Sequence, residues 1–100
     1  MGVLEIAEID VVEGREDEFE RAVARAVPLF ERARGCTGLD LHRSIENPSR
    51  YRLVVSWDAV EDHTVGFRGS EDFTAWRALV GEFFASPPRV EHTTRVLAGF

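Results

Sequence analysis

Between Trp57 and Arg77 the chain sets out side chains that could do chemistry: His63, tryptophans at 57 and 76, phenylalanines at 67 and 73, and Arg77 itself. An unperturbed imidazole titrates near ~6.5, so His63 could take or return a proton near neutrality. An indole N–H can hold an oxygen, a guanidinium stays charged at ordinary pH and can steady an oxyanion, and flat rings can sandwich a planar ligand. The spacing is that of a pocket, because a strand end and two short helices would aim these groups into one place. Each residue also has a plain structural reading. His63 could line a helix–sheet boundary and bond the backbone, Trp57 and the stripe of Phe67, Phe73 and Trp76 could be core, and Arg77 could pair with a surface carboxylate.

The elements that must position them follow from pattern. Val3 to Val11 alternate, with Glu5, Glu8 and Asp10 among Val, Leu and Ile, which predicts a strand with unlike faces. Gly14 breaks it, and Glu16-Asp17-Glu18 load the positive end of a helix. Phe19, Ala22, Val23, Ala26, Phe30 and Ala33 then recur at helical spacing over about five turns. Pro28 predicts a kink or an early break there, and Arg32, Arg34 and Gly35 predict a basic last turn and its stop. After the Gly-Cys-Thr-Gly loop, Leu39, Leu41, Arg43 and Ile45 alternate as a second strand. Glu46-Asn47-Pro48-Ser49 is turn chemistry, and Tyr51, Leu53, Val55 and Trp57 mark a third.

Asp58 with Glu61 predicts an approximate capping box for a short helix carrying Val60, His63, Thr64 and Phe67. Ser70 is the predicted N-cap of the next, with Phe73, Trp76, Val80, Phe83 and Phe84 on its buried stripe. Pro87-Pro88 ends it, and Arg89 to Leu97 alternate as a last strand. The order is βαββαβ, an α+β ferredoxin-like arrangement: a four-stranded antiparallel sheet with helices on one face. The opposite sheet phase mixes Glu, His, Arg and Ser with Val, and predicts a homodimer packed sheet to sheet, with His42 and Arg52 at that interface or its rim. His92 falls on the helix-facing phase of the last strand, as a weaker pocket candidate.

Composition narrows the function classes. One hundred residues, 44% hydrophobic and 30% charged, predict a single globular domain over residues 1–100. A net charge of −6, with arginines dispersed among acids, argues against nucleic acid and anionic lipid as partners. Cys36 is the lone cysteine, in a loop between glycines with no activating neighbour, so no intrachain disulfide is possible. Zinc-like Cys/His spacing is absent, and so are a basic n-region and any membrane-length apolar run, so the default location is the reducing cytoplasm.

Several segments together resemble a known family: Val3-Leu4-Glu5-Ile6, Gly14 to Phe19, Gly35-Cys36-Thr37-Gly38-Leu39, Asn47 to Tyr51, Trp57 to His63, and most specifically Glu61 to Ser70. The chain is similar in these to the antibiotic biosynthesis monooxygenase (ABM) group of the dimeric α/β-barrel superfamily. The resemblance implies an enzyme without metal, flavin or haem that oxidises a phenol, quinol or anthrone with molecular oxygen, since such a substrate can itself donate an electron to oxygen once deprotonated. His63 matches the histidine that commonly follows the strand-three tryptophan in the family; taken with the residue types, the expectation is that His63 assists deprotonation, Trp57 or Arg77 holds the developing oxyanion, and Phe67, Phe73 and Trp76 set the shape of the substrate pocket. Phe67 stands where quinol-oxidising relatives resemble a histidine and haem-degrading relatives a tryptophan. Arg77 and Glu5 stand where the haem degraders have their iron-ligating histidine and an asparagine. Arginine cannot ligate iron, which sets haem degradation aside. The alternative from another class is a non-catalytic protein that binds a small aromatic ligand on the same fold.

Overall fold

A computed structural model describes residues 2–100. The elements run β1 (Val3–Asp10), α1 (Glu16–Glu31), β2 (Cys36–Arg43), β3 (Arg50–Trp57), a π-helical segment (Asp62–Phe67), α2 (Glu71–Val80), a 3-10 turn (Gly81–Phe83) and β4 (Arg89–Thr93). The sheet order is β2-β3-β1-β4 with every neighbouring pair antiparallel, which is the ferredoxin-like α+β arrangement that the sequence predicts.

The period-two alternation sorts the sheet into two faces. Ala7 and Ile9 of β1 and Tyr51, Leu53, Val55 and Trp57 of β3 point to the helices and are buried. Against them α1 lays Phe19, Ala22, Val23, Ala26 and Phe30, all buried at helical spacing. The acids at positions 16, 17 and 18 do occupy the first turn of α1. The helix runs through Pro28 without a break, because the donor that proline lacks would have served Ala24, an exposed residue whose carbonyl can face water. It ends at Glu31, so the last turn carries no basic residue; Arg32 caps it and grips Asp72 of α2 with two hydrogen bonds of 2.7 Å.

Three further predictions shift. Cys36 opens β2 opposite Trp57 at a bulge instead of sitting in a loop, and Ile45 lies beyond the end of β2, 89% exposed. β4 stops at Thr93, which pairs with Leu4; past it β1 offers only Val3, so the alternation to Leu97 forms no strand. Val96 is accordingly exposed, not inward-facing. No helix among the described residues is long and apolar enough to cross a membrane.

The link from β3 to α2 positions the candidate site. At its start Asp62, not Glu61, ties the turn, with Oδ2 accepting the Ala59 N–H at 3.2 Å. Gly35, at φ +81°, lies directly against that carboxylate, where an added Cβ would overlap Asp62. The segment then widens: the Arg68 N–H bonds the His63 carbonyl five residues back at 3.0 Å, the π-helical spacing. His63 and Phe67 turn inward while Val65 is pushed out to 69% exposure. Ser70 closes the segment and starts α2, donating to the Phe67 carbonyl at 2.6 Å and accepting the Phe73 N–H at 3.2 Å.

Candidate functional site

The extra residue per turn in the π-helical segment sets the His63 ring flat against Trp57, with centroids 5.4 Å apart and planes 21° from parallel. His63 is only 3% exposed, and both ring nitrogens have partners. Nδ1 lies 2.8 Å from Nε2 of His92, and Nε2 lies 3.3 Å from Oε1 of Glu5. The same Glu5 oxygen accepts the indole N–H of Trp57 at 3.0 Å. Sheet register explains the convergence: His92 on β4 is directly opposite Glu5 on β1, and Trp57, opposite Val3, is the diagonal neighbour on the other side. One β1 carboxylate thus sits between an indole donor and an imidazole, with a second imidazole behind the first.

Burial governs the charge state. Desolvation raises the Glu5 carboxyl above its ordinary range, against the lowering effects of the Trp57 hydrogen bond and the Arg68 charge. Desolvation also pushes His63 down to about 4, helped by the charges of Arg68 and His92, so His63 is neutral at pH 7. With its proton on Nε2, His63 faces the carboxylate with a donor and leaves Nδ1 to accept from His92. No buried side-chain nitrogen or oxygen among the described residues lacks a partner. Since Glu5 bonds the protein through Oε1 alone, its Oε2 faces open space.

That space is a cavity of about 410 Å³ between the helix-facing side of the sheet and α2, with Glu5 and His63 in its lining. Ala7, Ile9 and Leu53 form the sheet wall, Phe73 and Trp76 the helix wall, and Arg68 and Arg77 stand at the open side. A depression of about 470 Å³ near Leu4, Ser56 and Thr93 is larger, but no buried titratable group converges on it.

The six residues singled out from sequence separate here. His63, Phe73, Trp76 and Arg77 line the cavity together. Trp57 is completely buried, spends its N–H on Glu5 and lies behind His63 instead of in the cavity wall. Phe67 is also buried and outside the lining; it fills the space between Phe30 at 4.8 Å, Trp57 at 5.7 Å and Phe73 at 5.8 Å. Arg77 rests over the Phe84 ring at 5.7 Å. Glu5 is the group that the residue types alone did not single out. Its signal is an acid on the phase that Ala7 and Ile9 mark as core, three residues before Glu8 on the opposite phase.

Comparison with known proteins places the chain in a family. The family profile described as antibiotic biosynthesis monooxygenase matches residues 2–79. A provisionally named antibiotic biosynthesis monooxygenase from Bordetella bronchiseptica has a crystal structure that superposes with a TM-score of 0.95 at 59% identity, covering 96% of this chain and 98% of that one. The Bacillus subtilis (strain 168) protein YczJ, itself uncharacterised, is 40% identical over 90 residues, or 90% of this chain and 95% of its own. SnoaB from Streptomyces nogalater, a cofactor-independent oxygenase whose crystal structure is that of a point mutant, shares the fold with a TM-score of 0.83 at 17% identity, covering 98% of this chain and 96% of that one. The profile over most of the chain and the close relatives along nearly all of it lead to one conclusion: the chain belongs to the antibiotic biosynthesis monooxygenase family.

Proposed function

We propose that the protein is a cofactor-independent monooxygenase that oxidises an electron-rich aromatic of the phenol, quinol or anthrone type in the cavity between sheet and α2. The observation that carries this is the Glu5 carboxylate, buried, with a raised pKa, held by Trp57 and His63 and open on one oxygen to an apolar cavity. A desolvated carboxylate is a stronger base than one in water, and a substrate that needs only to lose a proton before it reduces oxygen asks little more.

For an anthrone the steps balance as follows. Glu5 Oε2 takes one proton from the ring CH₂, with Arg77 beside the resulting enolate oxygen as a fixed positive charge. The carbanion passes one electron to O₂, the two radicals join through a new C–O bond, and the peroxide takes the proton back from Glu5. The O–O bond then breaks as the second C–H proton leaves with the departing hydroxide, giving one quinone and one water per O₂. His63 is the partner that keeps the carboxylate oriented. Phe73 and Trp76 fix the plane of the ring.

The test is oxygen consumption with a panel of anthrones and quinols on protein dialysed against chelator. Turnover that falls at least about a hundredfold in Glu5→Gln, with ligand binding kept, supports the assignment. Background uptake in the wild type, alongside thermal protection by the same aromatics, would instead support the ligand-binding alternative.

We further propose that two copies pair through the open sheet face. Leu4, Ile6 and Val54 lie there beside a charged ladder in which Arg50 and Arg89 each bridge Glu8 and Asp10 at 2.7–3.6 Å. Such a mixture suits a wet interface.

A further inference from the structure

Oxidation at the cavity floor requires one positive charge at most, yet two line the opening. Arg68 ends the π-helical segment and Arg77 follows Trp76 on α2; both border the cavity and both are exposed. Neither lies within ion-pair distance of a carboxylate among the described residues, and of the arginines so left without an ion pair these two border the cavity. The Arg77 guanidinium is laid over Phe84, which itself lines the cavity, so its charge is aimed by packing. Arg68 is close enough for its charge to depress both Glu5 and His63, although it touches neither as an ion pair. On a chain of net charge −6, two unpaired guanidiniums at the mouth of an apolar cavity form a local reversal of sign.

We propose that the ligand of this cavity is an aromatic carboxylic acid, with its ring between Phe73, Trp76 and the sheet wall of Ala7, Ile9 and Leu53, and its carboxylate held at the mouth by Arg68 and Arg77. Guanidinium and carboxylate match in shape and charge, and a contact at the edge of an apolar cavity is screened less than one in open water. A monoanion fits better than a phosphate ester. With Glu5 ionised, two guanidiniums and a monoanion leave the lining neutral, whereas an ester carrying nearly two charges at neutrality leaves it net negative. Anchoring the acid at the mouth also orients the ring, directing its far end to Glu5.

This inference shares with the proposed oxidation the premise that the cavity binds the ligand, and it does not depend on turnover. Calorimetric titration at pH 7 with 2-naphthoic acid, 2-naphthalenemethanol and 2-naphthyl phosphate separates the two. The acid is expected to bind at least about tenfold more tightly than the alcohol, with the advantage falling below about threefold in Arg68→Gln/Arg77→Gln. Both positions are exposed, so the variant should fold; an unchanged circular dichroism spectrum checks this, and Arg68→Gln alone should lose part of the preference. Equal affinity for acid and alcohol, a preference for the acid that survives the double variant, or tighter binding of the phosphate overturns the carboxylate assignment and leaves the oxidation standing. Failure of all three probes to bind overturns both.

Discussion

Replacing His63 with glutamine removes one titrating group from the buried chain and makes its charge state measurable through stability. Burial pushes His63 from an ordinary 6.5 down to about 4. The unfolded chain therefore binds this proton at a pH where the folded chain still refuses it. The stability that neutral His63 contributes is complete above about 6.5 and is lost as pH falls toward about 4. Between pH 7 and pH 5 the linkage relation gives a loss of about 2 kcal/mol from this group. At 3% exposure His63 is little screened by solvent. Glu5 works in the opposite direction: its raised pKa means the folded chain holds a proton that the unfolded chain releases, so its contribution declines as pH rises above the ordinary carboxylate range. Comparing wild type with His63→Gln at both pH values removes that shared part. Urea unfolding at fixed protein concentration should show the wild type losing about 2 kcal/mol more than the variant on acidification. A wild type that loses no more than the variant would mean that burial does not depress His63, and one that gains stability relative to it would mean that His63 is an imidazolium paired with Glu5; either result refutes a neutral, desolvated His63.

Other perturbations have equally definite outcomes. Trp57→Phe keeps an aromatic ring at this position but strips Glu5 of its N–H donor, which should cost about 1–3 kcal/mol in urea unfolding and raise the pKa governing the acid limb of any turnover profile. Gly35→Ala places a side chain at φ +81° and into the Asp62 carboxylate, so a loss of about 1–3 kcal/mol is expected, and a neutral result would show that the turn before the π-helical segment relaxes freely. Phe30→Ala removes the ring that packs on Phe67 and Trp76 at 4.8 and 5.0 Å; a loss of about 3–5 kcal/mol should accompany weaker aromatic binding, since the helix wall rests on it. Light scattering should give a mass twice the 11.3 kDa of the chain, and Ile6→Glu on the open sheet face should shift it toward the single-chain value.

The fold was legible because two periods hold over most of the chain. Alternation from Tyr51 to Trp57 and helical recurrence from Phe19 to Phe30 each state which face is buried, and the order of elements then leaves few topologies. Part of the cavity lining was legible from residue type, since His63, Phe73, Trp76 and Arg77 do share it. Glu5 was harder to read, because an acid on a short strand with two others looks like the polar face of an alternation until register sets it beside Trp57 and His92. The π-helical spacing was equally hidden: ordinary helical spacing already puts His63 and Phe67 on one side, and only the five-residue hydrogen bond from Arg68 reveals the wider turn. Trp57 runs the other way. Its type and strand-end position suit a pocket wall, but a diagonal neighbour with a carboxylate claims the N–H first.

The central claim, that this cavity lets molecular oxygen oxidise a bound aromatic with Glu5 as the base, is tested most directly by isotope. Chelator-dialysed protein turned over with an anthrone under ¹⁸O₂ should give a quinone carrying one ¹⁸O, with the second labelled atom in water, and Glu5→Gln should lose the labelled product. A quinone without label, or labelled product formed equally well by Glu5→Gln, would contradict the account.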